Sequence, residues 1–294
     1  MIGFIGLGIM GKPMARNLLK AGVELMVYDI NPSAVEALTA EGAAAGSPDA
    51  IGKSCEVVFT ILPNGPIVQE VLFGENGAAF GLKPGAVVCD CRPVTPGESR
   101  LCWEKLHAMG VGFVDAPVSG GEPGAVAGTL AFMAGGEEKD FDALKPYFII
   151  MGSSALLVGA PGSGSVTKLA NQVIVNNTIA VVSEAFVLAG KAGADPVKVY
   201  EAIRGGLAGS AVLDAKLPMM VERNFKPGGK ISINHKDIKN VINTAHELDV
   251  PVPHSAQLFE ILQSLKVHGH MEDDHSGIVQ YFEGLADVVV KKQD

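Results

Sequence analysis

The 294-residue chain has little of what would mark several common classes of protein. It has no basic excess: 23 lysines and arginines stand against 32 aspartates and glutamates, a net charge of -9. That balance argues against nucleic acid or an anionic membrane surface as the main partner. It is poor in cysteine. Cys55, Cys89, Cys91 and Cys102 fall at spacings that suggest neither a zinc site nor a disulfide framework. Buried thiols in a reducing cytoplasm are therefore expected. No charged leader precedes an apolar run, because the first β run begins at Ile2. The one long apolar stretch, residues 162–190, is interrupted by Lys168, Asn171, Gln172, Asn176, Asn177 and Glu184, which argues against a membrane span. There is no internal repeat and no low-complexity tract.

What is present is enough for about two domains with sizeable cores: the chain is 48% hydrophobic and only 19% charged. Up to about residue 160, short β runs rich in Val, Ile and Phe ("IGFIG", "ELMVYD", "EVVFTIL", "AVVCD", "GFVDAP", "TLAFMAGG") alternate with amphipathic segments. That alternation predicts a doubly wound, mostly parallel sheet covered on both faces. From residue 163 the period is helical. Helices are expected over 167–191, 196–204, 235–248, 254–268 and 276–291, and the domains are placed at 1–162 and 163–294.

The turn "GLGIMG" carries Gly6-x-Gly8-x-x-Gly11 between a strand and a helix. Its first glycine suits a tight turn, the second a close backbone approach to a pyrophosphate, and the third close packing of helix on strand. The helix start supplies free N–H groups for that phosphate. Asp29 ends the second β run and is placed to accept from an adenosine ribose. It would also repel a 2′-phosphate, and no arginine follows it, which favours NAD over NADP. A simple turn cap is the plain alternative for Asp29. The loops 60–65, 89–96 and 115–125 close further strands, where ligands of such sheets bind. Lys168 and Asn171, three apart, share a helix face near the domain boundary. An unpaired buried lysine is costly, so a cleft holding an anion suits it; a lysine reaching to solvent is the other reading.

The motifs "GFIGLGIMGKPM", "LPN", "DAPVSGG" with "GTL", "GSGSVTKLANQ" and "HKDI" together resemble the β-hydroxyacid dehydrogenase family over essentially the whole chain. Residues 203–216 and 223–228 look most like its tartronate semialdehyde reductases. The resemblance implies a Rossmann α/β N-terminal domain followed by an all-α domain of the 6-phosphogluconate dehydrogenase-like type. It implies an NAD-dependent reductase, with NADP as the alternative cofactor, acting on tartronate semialdehyde to give glycerate. Related substrates, 3-hydroxyisobutyrate or 2-hydroxymethylglutarate, are the enzymatic alternatives, and a non-catalytic binding module is the other class.

Residue by residue, the resemblance makes Lys168 catalytic and assigns the substrate to Ser119, Gly120, Gly121, Asn171 and Asp237. It assigns the cofactor to Gly6, Leu7, Gly8, Ile9, Met10, Gly11, Asp29, Leu62, Pro63, Asn64, Pro93 and Lys236. No metal is required, and a homodimer or homotetramer is expected. One loop departs from the pattern. Where the family reads D-x-S-S or D-S-S-T, this chain has Asp90-Cys91-Arg92-Pro93. Pro93 brings neither hydroxyl nor N–H to the position of the family's cofactor contact. Arg92 either points into the cleft, to pair with a substrate carboxylate or a cofactor phosphate, or points to solvent, and the solvent reading is the expected one.

Overall fold

A computed structural model of the chain describes residues 1–92 and 94–292. It divides into two compact units, Met1–Lys168 and Leu169–Asp294.

The first unit is a Rossmann-like α/β domain. Its strands are β1 (Ile2–Ile5), β2 (Leu25–Tyr28), β3 (Ala44–Ala45), β4 (Val57–Thr60), β5 (Val87–Asp90), β6 (Gly112–Asp115), β7 (Val118–Ser119), β8 (Leu130–Gly136) and β9 (Gly152–Gly159). Its helices are α1 (Gly11–Lys20), α2 (Pro32–Thr39), α3 (Pro48–Ser54), α4 (Gly65–Phe73), α5 (Pro96–Ala108), α6 (Gly121–Ala127) and α7 (Glu138–Met151). The strands form one sheet in the order β3-β2-β1-β4-β5-β6-β8-β7, with β9 also pairing β8. The run from β3 to β6 is parallel, and β8 turns antiparallel to β6 and β7. β3, β7 and β9 extend the sheet beyond the six β runs read from the sequence. Two of these are only two residues long, too short for a pattern.

The central strands are buried on both faces, which is why they read as continuous apolar runs. Side chains alternate across the sheet. Phe4, Phe59, Cys89 and Val114 enter one apolar cluster, while Ile5, Val58, Val88 and Phe113 enter another. Phe59 sits between Phe4, with ring centroids 6.0 Å apart, and Phe148 at 6.4 Å. Burying one such ring is worth about 1.5–3 kcal/mol.

The long helix α8 (Ser163–Lys191) starts in this unit and continues into the next. It begins four residues before the expected 167. The compact units also divide inside it, at Lys168, rather than at its start. The cause is its first turn. The Asp115 carboxylate at the end of β6 accepts from the backbone N–H groups of Gly162 and Ser165, both at 2.7 Å. A Cβ on Gly164 would collide with the carbonyl oxygens of Asp115 and Met133, so glycine permits this close seat on the sheet.

The second unit is all-helical. Besides the rest of α8 it contains α9 (Pro196–Ile203), α10 (Ala211–Val221), α11 (Ile231–Glu247), α12 (Pro253–Val267) and α13 (Val279–Ala286). The helix α10 was not expected from the sequence, because Pro218 inside it breaks the pattern. A short 3₁₀ turn, His275–Ile278, precedes α13. Ile179, Phe186, Leu213, Met220, Ile238 and Leu262 build the core. By length and composition alone, α8 is apolar enough to cross a membrane. Its Gln172, Asn176 and Ser183 are buried in the fold.

Candidate active site

In the first unit the turn at residues 6–11 is shaped by its glycines. Gly6 has φ +99° and Gly11 seats its helix so close that a Cβ would strike the Gly6 carbonyl oxygen. Gly8 is different: a Cβ there would meet nothing within 4 Å. Internal packing therefore does not demand glycine at that position, and the open space above it is room for a ligand. Gly8 and Ile9 line a cavity of about 510 Å³ with Lys12, Arg16, Asn31 and Ser33. The helices α2, α3, α4 and α5 are capped by the side chains of Asn31, Ser47, Asn64 and Thr95. Helix α1 has no side-chain cap and no acidic residue in its first turn. Lys12 and Met14 donate to the Gly8 and Met10 carbonyl oxygens and Pro13 has no N–H, so in the first turn of α1 the Gly11 N–H is the one left for an anion. An open glycine cradle beside an uncapped helix start fits a dinucleotide pyrophosphate.

Asp29 is engaged with this turn. Its Oδ2 accepts from the Leu7 N–H at 2.6 Å and its Oδ1 from the Asn31 N–H at 2.7 Å. The carboxylate therefore fixes the glycine turn against the end of β2, and each oxygen keeps a lone pair for a further donor. Arg16, which the sequence reading passed over, is an arginine in the cavity wall. Its guanidinium donates to the Glu41 carboxylate through Nε at 2.7 Å and Nη2 at 2.5 Å.

The other loops lie at the carboxyl ends of the strands. Leu62 is buried, while Pro63 and Asn64 are exposed, and the Asn64 side chain accepts from the Ile67 N–H to cap α4. Arg92 does not simply point to solvent. It is half-buried, and its Nη2 donates to the Pro63 carbonyl oxygen at 2.6 Å, joining the loops that follow β4 and β5. Pro93 lies outside the described residues. At the end of β7, half-buried Ser119 is followed by Gly120 at φ +130° and Gly121 at φ +61°, a sharp bend leading into α6.

Beneath these loops sit two buried carboxyls, Asp90 and Asp115, paired in register on β5 and β6. Burial pushes Asp90 up to about 7, against the Thr60 hydroxyl and the Arg92 backbone N–H, which favour its charged form. Burial likewise raises Asp115 to about 6, while the N–H groups of Gly162 and Ser165 pull it back. As the acid at the start of α8, Asp115 also complements the helix dipole. Lys168 follows on that helix and is only 9% exposed, which rules out a side chain reaching into solvent.

In the second unit, half-buried Asn171 donates from Nδ2 to the Gln172 Oε1 at 3.0 Å. The buried Gln172 donates from Nε2 to Asp237 Oδ2 at 2.7 Å and, more distantly, to Asn234 Oδ1 at 3.4 Å. Lys236 pairs with Asp237 at 3.4 Å. Asn171, Lys236 and Asp237 are thus connected, through a glutamine to which the sequence reading gave no role. Its signal was available: Gln172 stands four residues after Lys168, on the same helix face. Elsewhere in this unit, the buried Asp274 accepts from Gly228, Gly229, Ser276 and Lys216, fixing the loop between α10 and α11. Burial alone would raise its carboxyl, but these donors and His275 hold it at about 2.

Comparison with known proteins gives a consistent picture. The family model for the NAD binding domain of 6-phosphogluconate dehydrogenase matches residues 1–159. The model for the NAD-binding domain of NADP-dependent 3-hydroxyisobutyrate dehydrogenase matches residues 162–282. The 2-hydroxy-3-oxopropionate reductase of Escherichia coli (strain K12) is 40% identical, covering 97% of this chain and 98% of its own length. The 2-(hydroxymethyl)glutarate dehydrogenase of Eubacterium barkeri is 34% identical over 98% and 97%. Among solved structures, 3-hydroxyisobutyrate dehydrogenase from Salmonella typhimurium superposes with a TM-score of 0.84 at 30% identity, covering 95% of this chain and 98% of that one.

Proposed function

Since the chain belongs to the 3-hydroxyisobutyrate dehydrogenase-like β-hydroxyacid dehydrogenases, NAD(P)-dependent oxidoreductases of CH–OH groups, we propose that it reduces tartronate semialdehyde (2-hydroxy-3-oxopropanoate) to glycerate. The observation that carries the chemistry is Lys168, an amine held nearly out of solvent on a helix whose first turn Asp115 anchors. The choice among family substrates is supported by the 40% identity to 2-hydroxy-3-oxopropionate reductase along the full chain.

In this reading the cradle at residues 6–11 and the start of α1 hold the pyrophosphate. The free lone pairs of Asp29 take the adenosine ribose, and the turn of Leu62, Pro63 and Asn64 contacts the cofactor, as does Lys236. Bound nicotinamide supplies the hydride that reaches the aldehyde carbon. Lys168, as an ammonium, stabilises the developing alkoxide and gives it a proton. In the oxidative direction its neutral amine is the base. Ser119 and the bare N–H groups of Gly120 and Gly121 hold the substrate carboxylate, and Asn171 and Asp237 complete the substrate contacts. NADH is preferred over NADPH, since Asp29 opposes a 2′-phosphate and Glu41 occupies Arg16.

The reading also includes a homo-oligomer. It is supported by the exposed Ile174, Val181 and Leu188, which recur at seven-residue spacing along α8. Four buried free thiols support a cytoplasmic setting. The experiment is a panel of tartronate semialdehyde, methylmalonate semialdehyde and the aldehyde of 2-hydroxymethylglutarate, each with NADH and NADPH. The highest kcat/KM is expected for tartronate semialdehyde with NADH; a higher value for another aldehyde would reassign the substrate.

A further inference from the structure

The buried amide network of the helical unit has a fixed direction. An amide side chain can be turned either way unless its neighbours decide. Two neighbours of Gln172 do. Asp237, paired with the Lys236 ammonium, is a carboxylate and can only accept. Asn234 gives its Nδ2 to the Lys230 backbone carbonyl at 2.9 Å, so it too presents an oxygen. Both oxygens face one end of Gln172, at 2.7 and 3.4 Å, and that end must be the NH₂. The other end is then Oε1, which requires a donor. Asn171 provides it through Nδ2 at 3.0 Å. Turning Asn171 over would set two carbonyl oxygens against each other next to residues that are 7%, 4% and 2% exposed (Gln172, Asn234 and Asp237), where an unmet polar group is costly.

We propose that Gln172 is a positioning residue that fixes the polarity of the Asn171 amide, so that Asn171 offers its carbonyl oxygen to a hydroxyl of the substrate. The ligand group recognised there is a hydrogen-bond donor: the hydroxyl on the carbon next to the aldehyde. A methyl at that carbon would leave the Asn171 oxygen facing an apolar group. The substrate half of this inference rests on the reading of Asn171 as a substrate contact; the polarity half rests on the hydrogen bonds alone.

The two halves have separate tests. Neutron diffraction from perdeuterated crystals locates the amide deuterons. Those of Gln172 are expected on the side of Asp237 and Asn234, and one of Asn171 directed at Gln172. An Asn171 oxygen facing Gln172 would overturn the polarity and with it the proposal. Kinetics then compares 2-hydroxy-3-oxopropanoate with 2-methyl-3-oxopropanoate in the wild type and in Gln172→Met, a change of similar volume. The wild type is expected to favour the hydroxylated aldehyde by at least about tenfold in kcat/KM. The variant should lose most of that ratio, chiefly through the hydroxylated substrate, with the methyl analogue changed less than about threefold. An equal loss on both aldehydes would mean a merely structural glutamine. If neither aldehyde is reduced, the proposed function fails, and the neutron maps still decide the polarity.

Discussion

In the sheet unit the phosphate cradle is a backbone feature: an open glycine in the turn that leads into α1, held in place by a carboxylate spent on two N–H groups. In the helical unit the corresponding work falls to side chains, with Gln172, Asn234, Asp237 and Asn171 locked in a directed network. The difference sets how each fails. A backbone site is sensitive to volume, because any added Cβ either collides or fills the ligand's space. A side-chain network is sensitive to polarity, because a near-isosteric replacement keeps the volume and loses the direction.

Lys168 is the exception in the sheet unit, a side chain whose chemistry no backbone group can replace. Lys168→Ala is expected to lower kcat by about 10²–10⁴-fold, the usual worth of a positioned general acid, with NADH affinity little changed. Steady-state rates and a fluorescence titration of NADH separate the two. Turnover close to wild type would take Lys168 out of the mechanism.

The glycines sharpen the contrast within one turn. Gly11→Ala drives a Cβ into the Gly6 carbonyl and should cost about 1–3 kcal/mol or more in denaturant unfolding. Gly8→Ala meets no protein atom, so stability should move by less than about 0.5 kcal/mol, while NADH binding weakens by about tenfold. A Gly8 variant with unchanged cofactor affinity would show that the cradle is empty space and nothing more.

Beneath the backbone site the buried carboxyls give the sheet unit its own pH response. Asp90, at about 7, holds its proton in the folded state over a range where the unfolded chain has lost it. The folded state therefore binds more protons between about pH 4 and 7, and stability falls as pH rises through that window. From about pH 5 to about pH 8 Asp90 alone should account for a loss of roughly 2 kcal/mol, with Asp115 adding in the same direction, and Asp90→Asn should reduce the slope without abolishing it. A wild type as stable at the higher pH as at the lower would contradict the burial argument.

The smallest expected effect concerns Arg16. Glu41→Ala releases the guanidinium into the cavity wall and should raise kcat/KM for NADPH relative to NADH by about threefold, as expected for a pair at the protein surface. An unchanged cofactor ratio would leave Asp29 alone in the discrimination.

Much of the sheet unit was legible because its signals are local. Val58, Val88 and Phe113 lie in apolar runs bounded by turns, and Gly6, Gly8 and Gly11 stand at fixed offsets. The weak points were also local. The two-residue strands β3 and β7 are too short to carry a pattern, and Pro218 masked α10. In the candidate site, Lys168 and Asn171 stood out as polar residues on an apolar helix. What could not be read was pairing over distance: Asp115 with Ser165 across 50 residues, Gln172 with Asp237 across 65, and Arg92 with Pro63 across 29. No periodicity encodes which donor meets which acceptor once the chain has folded.

The central claim is that hydride passes from a nicotinamide to the aldehyde carbon of a small hydroxy-semialdehyde. Its most direct test is isotopic: NADH dideuterated at the nicotinamide C4 position, tartronate semialdehyde and the wild-type protein, with the product read by mass spectrometry and NMR. The expected product is glycerate carrying a single deuterium on the carbon that was the aldehyde. Consumption of the aldehyde without deuterium in the product, or no consumption with either NADH or NADPH, would contradict it.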